Sequence, residues 1–188
     1  MPLSTMTVAD LLKAIQSGDG QTRVAAWMRA GDAGPDAIPG LGRLAASDDR
    51  AIAKAALQAL GRVTHAAAVP GNHDVAAVTS SSLLDLAESA TLVTVRSRAL
   101  FLVGHTADGR NVRRLEALLN DAAVRDDARM ALERVPGSAA ERALQRAAED
   151  SRDGAWRFAL EQSLRARRLS GTAAGRDPVW PPPAAPGS

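Results

Sequence analysis

Residues 38–61, IPGLGRLAASDDRAIAKAALQALG, decide the fold of this protein. The first part places Ile38, Leu41 and Leu44 at helical spacing. The polar run Ser47-Asp48-Asp49 follows, and such residues are typical of a turn and of a helix N-cap. A second apolar stripe, at i, i+3, i+4, i+7 and i+8, is formed by Ile52, Ala55, Ala56, Ala59 and Leu60. The stretch therefore predicts two helices joined by a short turn.

The second helix of this hairpin recurs along the chain. Five ten-residue segments align without gaps, at 22–31, 52–61, 95–104, 124–133 and 156–165. Their inward positions hold mostly small residues, namely Ala25, Ala26, Ala55, Ala56, Ala99, Ala128, Ala131 and Ala159. The corresponding first helices are predicted at 7–17, 35–46, 76–89, 109–119 and 137–149. Three segments end in glycine (Gly31, Gly61 and Gly104), which favours left-handed helix caps there. The pattern predicts an all-α chain of about five helical hairpins.

This pattern, A-I-P-x-L followed by Asp and then V-R-x-x-A-A-x-A-L-G, resembles HEAT and armadillo-like repeats of the short bacterial type. The resemblance covers residues 7–169, and its most specific copy is AIPGLGRLAASDDRAIAKAALQALG. A second copy is VRRLEALLNDAAVRDDARMALERVPGSAAERALQRA. The resemblance implies a right-handed α-α solenoid, a single repeat domain over 1–169, and a concave face, lined by the second helices, that holds other proteins.

Two segments fall outside the regular spacing. The step from Gly61 to Gly104 is 43 residues, and its excess lies in 63–74, VTHAAAVPGNHD, which predicts an inserted loop. Residues 170–188, SGTAAGRDPVWPPPAAPGS, contain five prolines and three glycines. That composition predicts a disordered tail. Its one tryptophan, Trp180, is a candidate contact for a partner.

Composition excludes several classes of protein. The chain is 46% hydrophobic and only 3% aromatic, which favours closely packed helices over a β-sandwich. It contains no cysteine, and this excludes disulfides, thiolate zinc sites and thiol nucleophiles. No run approaches the roughly 20 apolar residues that span a bilayer, and the N-terminus lacks the pattern of a secretory leader. We therefore expect a soluble cytoplasmic protein that does not enter membranes.

The second and sixth positions of each aligned segment lie on one side of the helix. Four of the five second positions are arginine, and several sixth positions are large and apolar. Arginine and tryptophan are frequent interface anchors, so these positions predict a surface for a protein partner with acidic groups. The predicted contact residues are Arg23, Trp27, Leu57, Arg96, Leu100, Arg125, Arg129 and Arg157, with Trp180 in the tail. The alternative is that the arginines bind the turn acids Asp19, Asp48, Asp49 and Asp121 and so join one repeat to the next.

Nucleic-acid binding is a competing prediction because seven arginines fall within 34 residues. They are Arg96, Arg98, Arg110, Arg113, Arg114, Arg125 and Arg129. Carboxylates are interspersed among them, and aromatic side chains for base stacking are scarce. A scaffold that binds another protein is therefore the main prediction, and an arginine-mediated nucleic-acid binder is the alternative.

Enzymatic readings have weaker support in the sequence. Gly71-Asn72-His73-Asp74 resembles a metallophosphoesterase signature, but the other ligands of a two-metal site are missing. The repeat resemblance also includes lyases that attach bilin chromophores, and no residue pattern marks a bilin site. We predict a non-enzymatic protein without a metal or cofactor.

Overall fold

The computed structural model describes residues 6–171, and these residues form an all-α structure without a strand. The α-helices are α1 Val8–Ser17, α2 Gly20–Met28, α3 Ile38–Ala45, α4 Arg50–Ala67, α5 His73–Ser89, α6 Val93–Val103, α7 Val112–Leu118, α8 Arg125–Arg134, α9 Ser138–Asp150 and α10 Gly154–Ser170. Short 3-10 turns precede α3 and α7. The all-α prediction is confirmed. The predicted tail beyond residue 171, with Trp180, lies outside the described residues.

Consecutive helices pack as five pairs, α1 with α2 through α9 with α10. Each odd-numbered helix also contacts the next odd-numbered helix, and each even-numbered helix contacts the next even-numbered one. One continuous apolar core, from Leu11 to Leu164, lies between these two sets of helices. Of the eight alanines predicted to face inward, six are buried, Ala159 is half-buried and Ala25 is exposed. None of the described helices combines the length and apolar character needed to cross a membrane.

Aspartate side chains begin three of the even-numbered helices. Asp19, Asp49 and Asp153 each accept hydrogen bonds from backbone N–H groups in the first turn of α2, α4 and α10. The N–H of Thr22 lowers the pKa of Asp19, and the N–H of Trp156 lowers that of Asp153. Asp19 and Asp49, two of the four turn acids of the sequence, therefore act as helix caps together with Asp153, because an anion there satisfies donors that have no partner within the helix.

The predicted insert at 63–74 is mostly helix. Helix α4 continues to Ala67, since Val63 and Ala67 are both buried in the core and hold the last turns in place. The break between α4 and α5 covers only residues 68–72. Within it, Gly71 has φ +93°, as the predicted Pro-Gly turn requires. The extra length of this repeat is therefore a longer helix and a short turn.

The predicted left-handed caps at Gly31, Gly61 and Gly104 are wrong. Gly61 lies inside α4, Gly104 has φ −58°, and Gly31 lies in a 3-10 turn without a positive φ. At two of these positions, the side chain of an arginine lies close to the glycine Cα. A Cβ on Gly61 would stand 2.9 Å from a guanidinium nitrogen of Arg98, and one on Gly104 would stand 3.0 Å from Cδ of Arg134. Each glycine leaves room for an arginine of the next even-numbered helix.

Candidate interaction surface

Three of the four arginines at the second position bind carbonyls of their own helix pair. Nε of Arg23 donates to the carbonyl of Ile15 at 3.0 Å, and Nε of Arg96 donates to that of Ala87 at 2.6 Å. Arg157 donates to the carbonyl of Ser151. The carbonyls of Ile15 and Ala87 lie near the C-terminal ends of α1 and α5, where a cation is favoured by the helix dipole. These arginines therefore fasten the two helices of a pair.

Two arginines at the second position, Arg96 and Arg125, connect one pair to the next. Arg96 donates to Asp121 at 2.6 Å, and its side chain is only 15% exposed. This bond lowers the pKa of Asp121. Arg125 pairs with Asp153 at 3.4 Å, and its guanidinium lies 4.7 Å from the ring centre of Trp156. The pairing of Arg96 with Asp121 is one that the alternative interpretation named, whereas Asp153, the partner of Arg125, was not among its turn acids.

The other residues of the predicted contact surface are also largely engaged within the protein. Arg129 donates to Ser163 and pairs with Asp126 and Glu133. Trp27 and Leu57 are half-buried against the core. Leu100 is fully buried, so its prediction as a partner contact is wrong. The reason is that the sixth position of α6 faces the core.

Replacing Arg96 with methionine should lower the free energy of unfolding by about 1–3 kcal/mol, because the change removes bonds to Ala87 and Asp121. Urea denaturation followed by circular dichroism measures the loss. Arg113→Met is the matched control, since Arg113 is exposed and has no ion pair with a described residue. Equal stability of the two variants would show that the Arg96 bonds do not hold the pairs together.

The outward side of the even-numbered helices is formed by the third and seventh positions of the aligned segments. These lie one residue after the second and sixth positions that the sequence analysis chose. This outward side carries large apolar side chains that are between 38% and 61% exposed. We call this surface the even-helix face, and its apolar members are Val24, Met28, Phe101, Met130 and Phe158. The sequence analysis missed it because it assigned the outward side to the second and sixth positions. The sequence signal was the recurrence of large apolar residues at the third and seventh positions.

A group of cations surrounds Phe101 on this face. The guanidinium carbons of Arg98 and Arg134 lie 5.4 and 5.2 Å from the centre of the Phe101 ring. The His105 ring meets the same ring edge-on, at 5.3 Å between centres and 71° between planes. We call this group, with His65 of α4, the Phe101 cluster. It consists of His65, Arg98, Phe101, His105 and Arg134.

Within residues 6–171, no carboxylate pairs with the two arginines of the Phe101 cluster. Nε of Arg98 is buried without a hydrogen-bond partner among these residues. Burial lowers the pKa of Arg98. Burial also lowers the pKa of His105, and the charges of Arg134, Arg98 and His65 lower it further. All the neighbouring charges that shift His105 are therefore cationic.

Most other arginines of this region are neutralised by carboxylates. Five of the seven arginines that prompted the nucleic-acid prediction form ion pairs, namely Arg96, Arg110, Arg114, Arg125 and Arg129. Arg114 contacts two carboxylates, those of Glu88 and Asp85, at 2.6 and 2.7 Å. Arg98 and Arg113 have no such pair within the described part of the chain. The seven arginines therefore do not form a continuous row of free cations.

The Gly71-Asn72-His73-Asp74 segment lies at the start of α5. His73 is its first helical residue, and the Asn72 side chain makes no capping hydrogen bond. Across residues 6–171, histidines and carboxylates form no group of three or more that could hold a metal ion. The segment thus acts as the turn that begins α5.

No protein-family model matches this chain, and comparison with curated proteins finds no significant match. Solved structures do match. One of them is the crystal structure of an engineered protein from the Northeast Structural Genomics Consortium, with 20% sequence identity and a TM-score of 0.43. The match covers 86% of this chain and 79% of that chain. We assign this protein to the all-α class from its own secondary structure and not from this match.

Proposed function

We propose that this protein is a non-enzymatic scaffold that binds another protein through the even-helix face. In this proposal the five helix pairs form a right-handed α-α solenoid of the HEAT-like kind, and the even-numbered helices line its concave side. The succession of pairs, with contacts between equivalent helices, supports that arrangement. The observation that carries the proposal is the set of exposed Phe and Met side chains, one of which, Phe101, lies against two arginines that have no ion pair within residues 6–171.

The chemistry of the even-helix face suits protein recognition. Aromatic residues and arginine supply much of the binding energy in known interfaces, and methionine adapts to differently shaped partners. The face offers an aromatic side chain, Phe101, and a methionine, Met130, at equivalent positions of the even-numbered helices α6 and α8. Because they lie on packed helices, little conformational entropy is lost when a partner binds.

The face also defines the chemistry of the partner. Arg98 and Arg134 carry the uncompensated charge, so the partner presents acidic groups together with apolar side chains. The arginines predicted from the sequence as contacts at the second position (Arg23, Arg96, Arg125 and Arg157) bond within the protein, and this proposal does not use them as contacts. The proposed contact residues are therefore Met28, Phe101, Met130 and Phe158, with Arg98 and Arg134.

A pair of matched variants tests this proposal. The first carries Met28→Ser, Phe101→Ser, Met130→Ser and Phe158→Ser on the even-helix face. The control carries Val69→Ser, Val75→Ser and Val78→Ser, which replace residues of similar exposure on α5 and in the turn before it. Helix content and unfolding midpoints are checked for both. Quantitative capture from a native lysate should then recover the same proteins with the wild type and the control, and at least tenfold less with the first variant.

The same capture experiment includes nuclease-treated lysate. Recovery should not depend on nuclease, because the proposed contacts are between proteins. Loss of the captured proteins after nuclease treatment would favour the nucleic-acid alternative. Equal capture by all three proteins would place the interaction elsewhere and overturn the proposal.

A further inference from the structure

We infer that the Phe101 cluster is a carboxylate-binding subsite, which takes an acidic side chain of a partner segment together with an adjacent apolar one. This inference rests on the proposed function, which identifies the ligand as part of a protein. The subsite lies on three successive even-numbered helices, with His65 on α4, Phe101 on α6 and Arg134 on α8.

The two arginines are positioned by the backbone of the neighbouring helix. Arg98 of α6 crosses Gly61 of α4, and Arg134 of α8 crosses Gly104 of α6. In each case a Cβ on the glycine would come within about 3.0 Å of the arginine side chain, which is closer than ordinary van der Waals contact. The glycines therefore leave the space in which both guanidinium groups reach the ring of Phe101.

The donors of Arg98 are incompletely used within the fold. Its Nε is buried and makes no hydrogen bond with the described residues, although a buried donor without an acceptor is unfavourable. Guanidinium binds carboxylate and phosphate groups through two parallel hydrogen bonds, and the apolar surface beside these cations favours the carboxylate of a protein side chain. Binding such a group at the terminal guanidinium nitrogens would balance the charges of Arg98 and Arg134.

An apolar neighbour of the carboxylate fits the remainder of the subsite. The ring of Phe101 is 42% exposed, and Met130 at the equivalent position of α8 is 38% exposed. These side chains offer a partner an apolar surface directly beside the cations. A nucleic acid would instead require regularly spaced free cations, and the nearby Arg96 and Arg129 are occupied by carboxylates.

The test uses the full-length chain with isotope labels and follows the Arg98 Nε–H and His105 ring signals by NMR. The probe is the acetylated and amidated peptide Glu-Phe-Glu, and the matched control peptide is Gln-Phe-Gln. Inorganic phosphate, a short DNA duplex and sodium chloride at equal ionic strength are titrated in parallel. A tripeptide of this size should bind with a dissociation constant on the order of millimolar.

We expect saturable shifts of both signals with Glu-Phe-Glu and at least fivefold weaker binding of Gln-Phe-Gln. The midpoint of the His105 titration should move to higher pH in the complex, because a bound carboxylate opposes the cations of α4, α6 and α8 that lower its pKa. Shifts equal to those with sodium chloride, or equal binding of the two peptides, would overturn the inference. Tighter binding of phosphate or DNA than of Glu-Phe-Glu would do the same.

A variant links the signals to the cluster. Arg98→Gln combined with Arg134→Gln should weaken Glu-Phe-Glu binding at least tenfold, whereas Arg113→Gln should leave it unchanged. Should the double variant unfold, the comparison of the two peptides on the wild type still decides the question. The outcome is separable from that of the scaffold proposal. Peptide binding without protein capture through the even-helix face refutes the scaffold, and capture without peptide binding refutes the subsite.

Discussion

Replacing Arg167 with methionine should lower the free energy of unfolding by about 3–5 kcal/mol, the largest loss that we expect from a single polar side chain here. Arg167 is fully buried. Its guanidinium donates to the carbonyls of Leu132 at 2.7 Å, Val135 at 2.6 Å and Gly137 at 2.7 Å. Methionine would fill much of the space but would leave these oxygens without a donor in the interior.

The position of Arg167 explains why one side chain has this effect. Leu132 lies in the last turn of α8, and Val135 and Gly137 form the connection to α9. Carbonyls at a helix C-terminus carry partial negative charge, which a cation stabilises. Burial lowers the pKa of Arg167, and the nearby Glu141 and Glu133 act in the opposite direction. A side chain of α10 thus holds the end of α8 against the start of α9.

Guanidinium chloride denaturation measures this prediction, with Arg168→Met as the control. Arg168 is adjacent in sequence, but its side chain is 69% exposed and its ion pair with Glu141 is long, at 3.6 Å. Surface pairs of this kind contribute about 0–1 kcal/mol. If Arg167→Met and Arg168→Met unfold at the same denaturant concentration, the carbonyl bonds of Arg167 do not stabilise the fold as we expect.

The neighbours Leu100 and Phe101 should respond in opposite ways to truncation. Leu100→Ala should lower the free energy of unfolding by about 2–5 kcal/mol, because it leaves a cavity in a closely packed core. Phe101→Ala should lower it far less, since 42% of that side chain is already exposed to solvent. The loss expected for Phe101→Ala is in protein binding, because the ring is the centre of the Phe101 cluster.

Both variants are measured by denaturation and by the capture experiment at a temperature where each is folded. We expect folded Leu100→Ala to capture partners as the wild type does, and Phe101→Ala to capture at least fivefold less. The reverse pattern, in which Leu100→Ala stays stable and loses binding, would restore Leu100 as a contact residue and contradict the burial that the structure shows.

The helical pairs were predictable because their signal is local. Apolar spacing and turn acids such as Asp49 are read from a few neighbouring residues, and the five pairs formed where this spacing indicated them. The ends of the helices were less predictable. Helix α4 continues through Gly61 to Ala67 because Val63 and Ala67 meet buried surface from other helices. Local propensity does not contain that information.

The surface that we propose resembles the predicted interface in composition but differs from it in position. An interface rich in arginine and apolar residues on the second helices was expected, and the even-helix face has that composition. The residues differ because the exposed side of each helix lies one sequence position from the predicted side. On α6, for example, Leu100 is buried and the next residue, Phe101, is exposed. Whether an arginine is free also depends on distant residues, as the pairing of Arg96 with Asp121 shows.

By itself the sequence determined that the chain is helical, where the helices pair, and that no cysteine chemistry is present. Those properties follow from the identity and spacing of nearby residues. Only the tertiary structure decided which arginines are neutralised and which side of each helix faces outward. It also showed the cations that meet at Phe101, because their positions depend on packing between helices far apart in the chain.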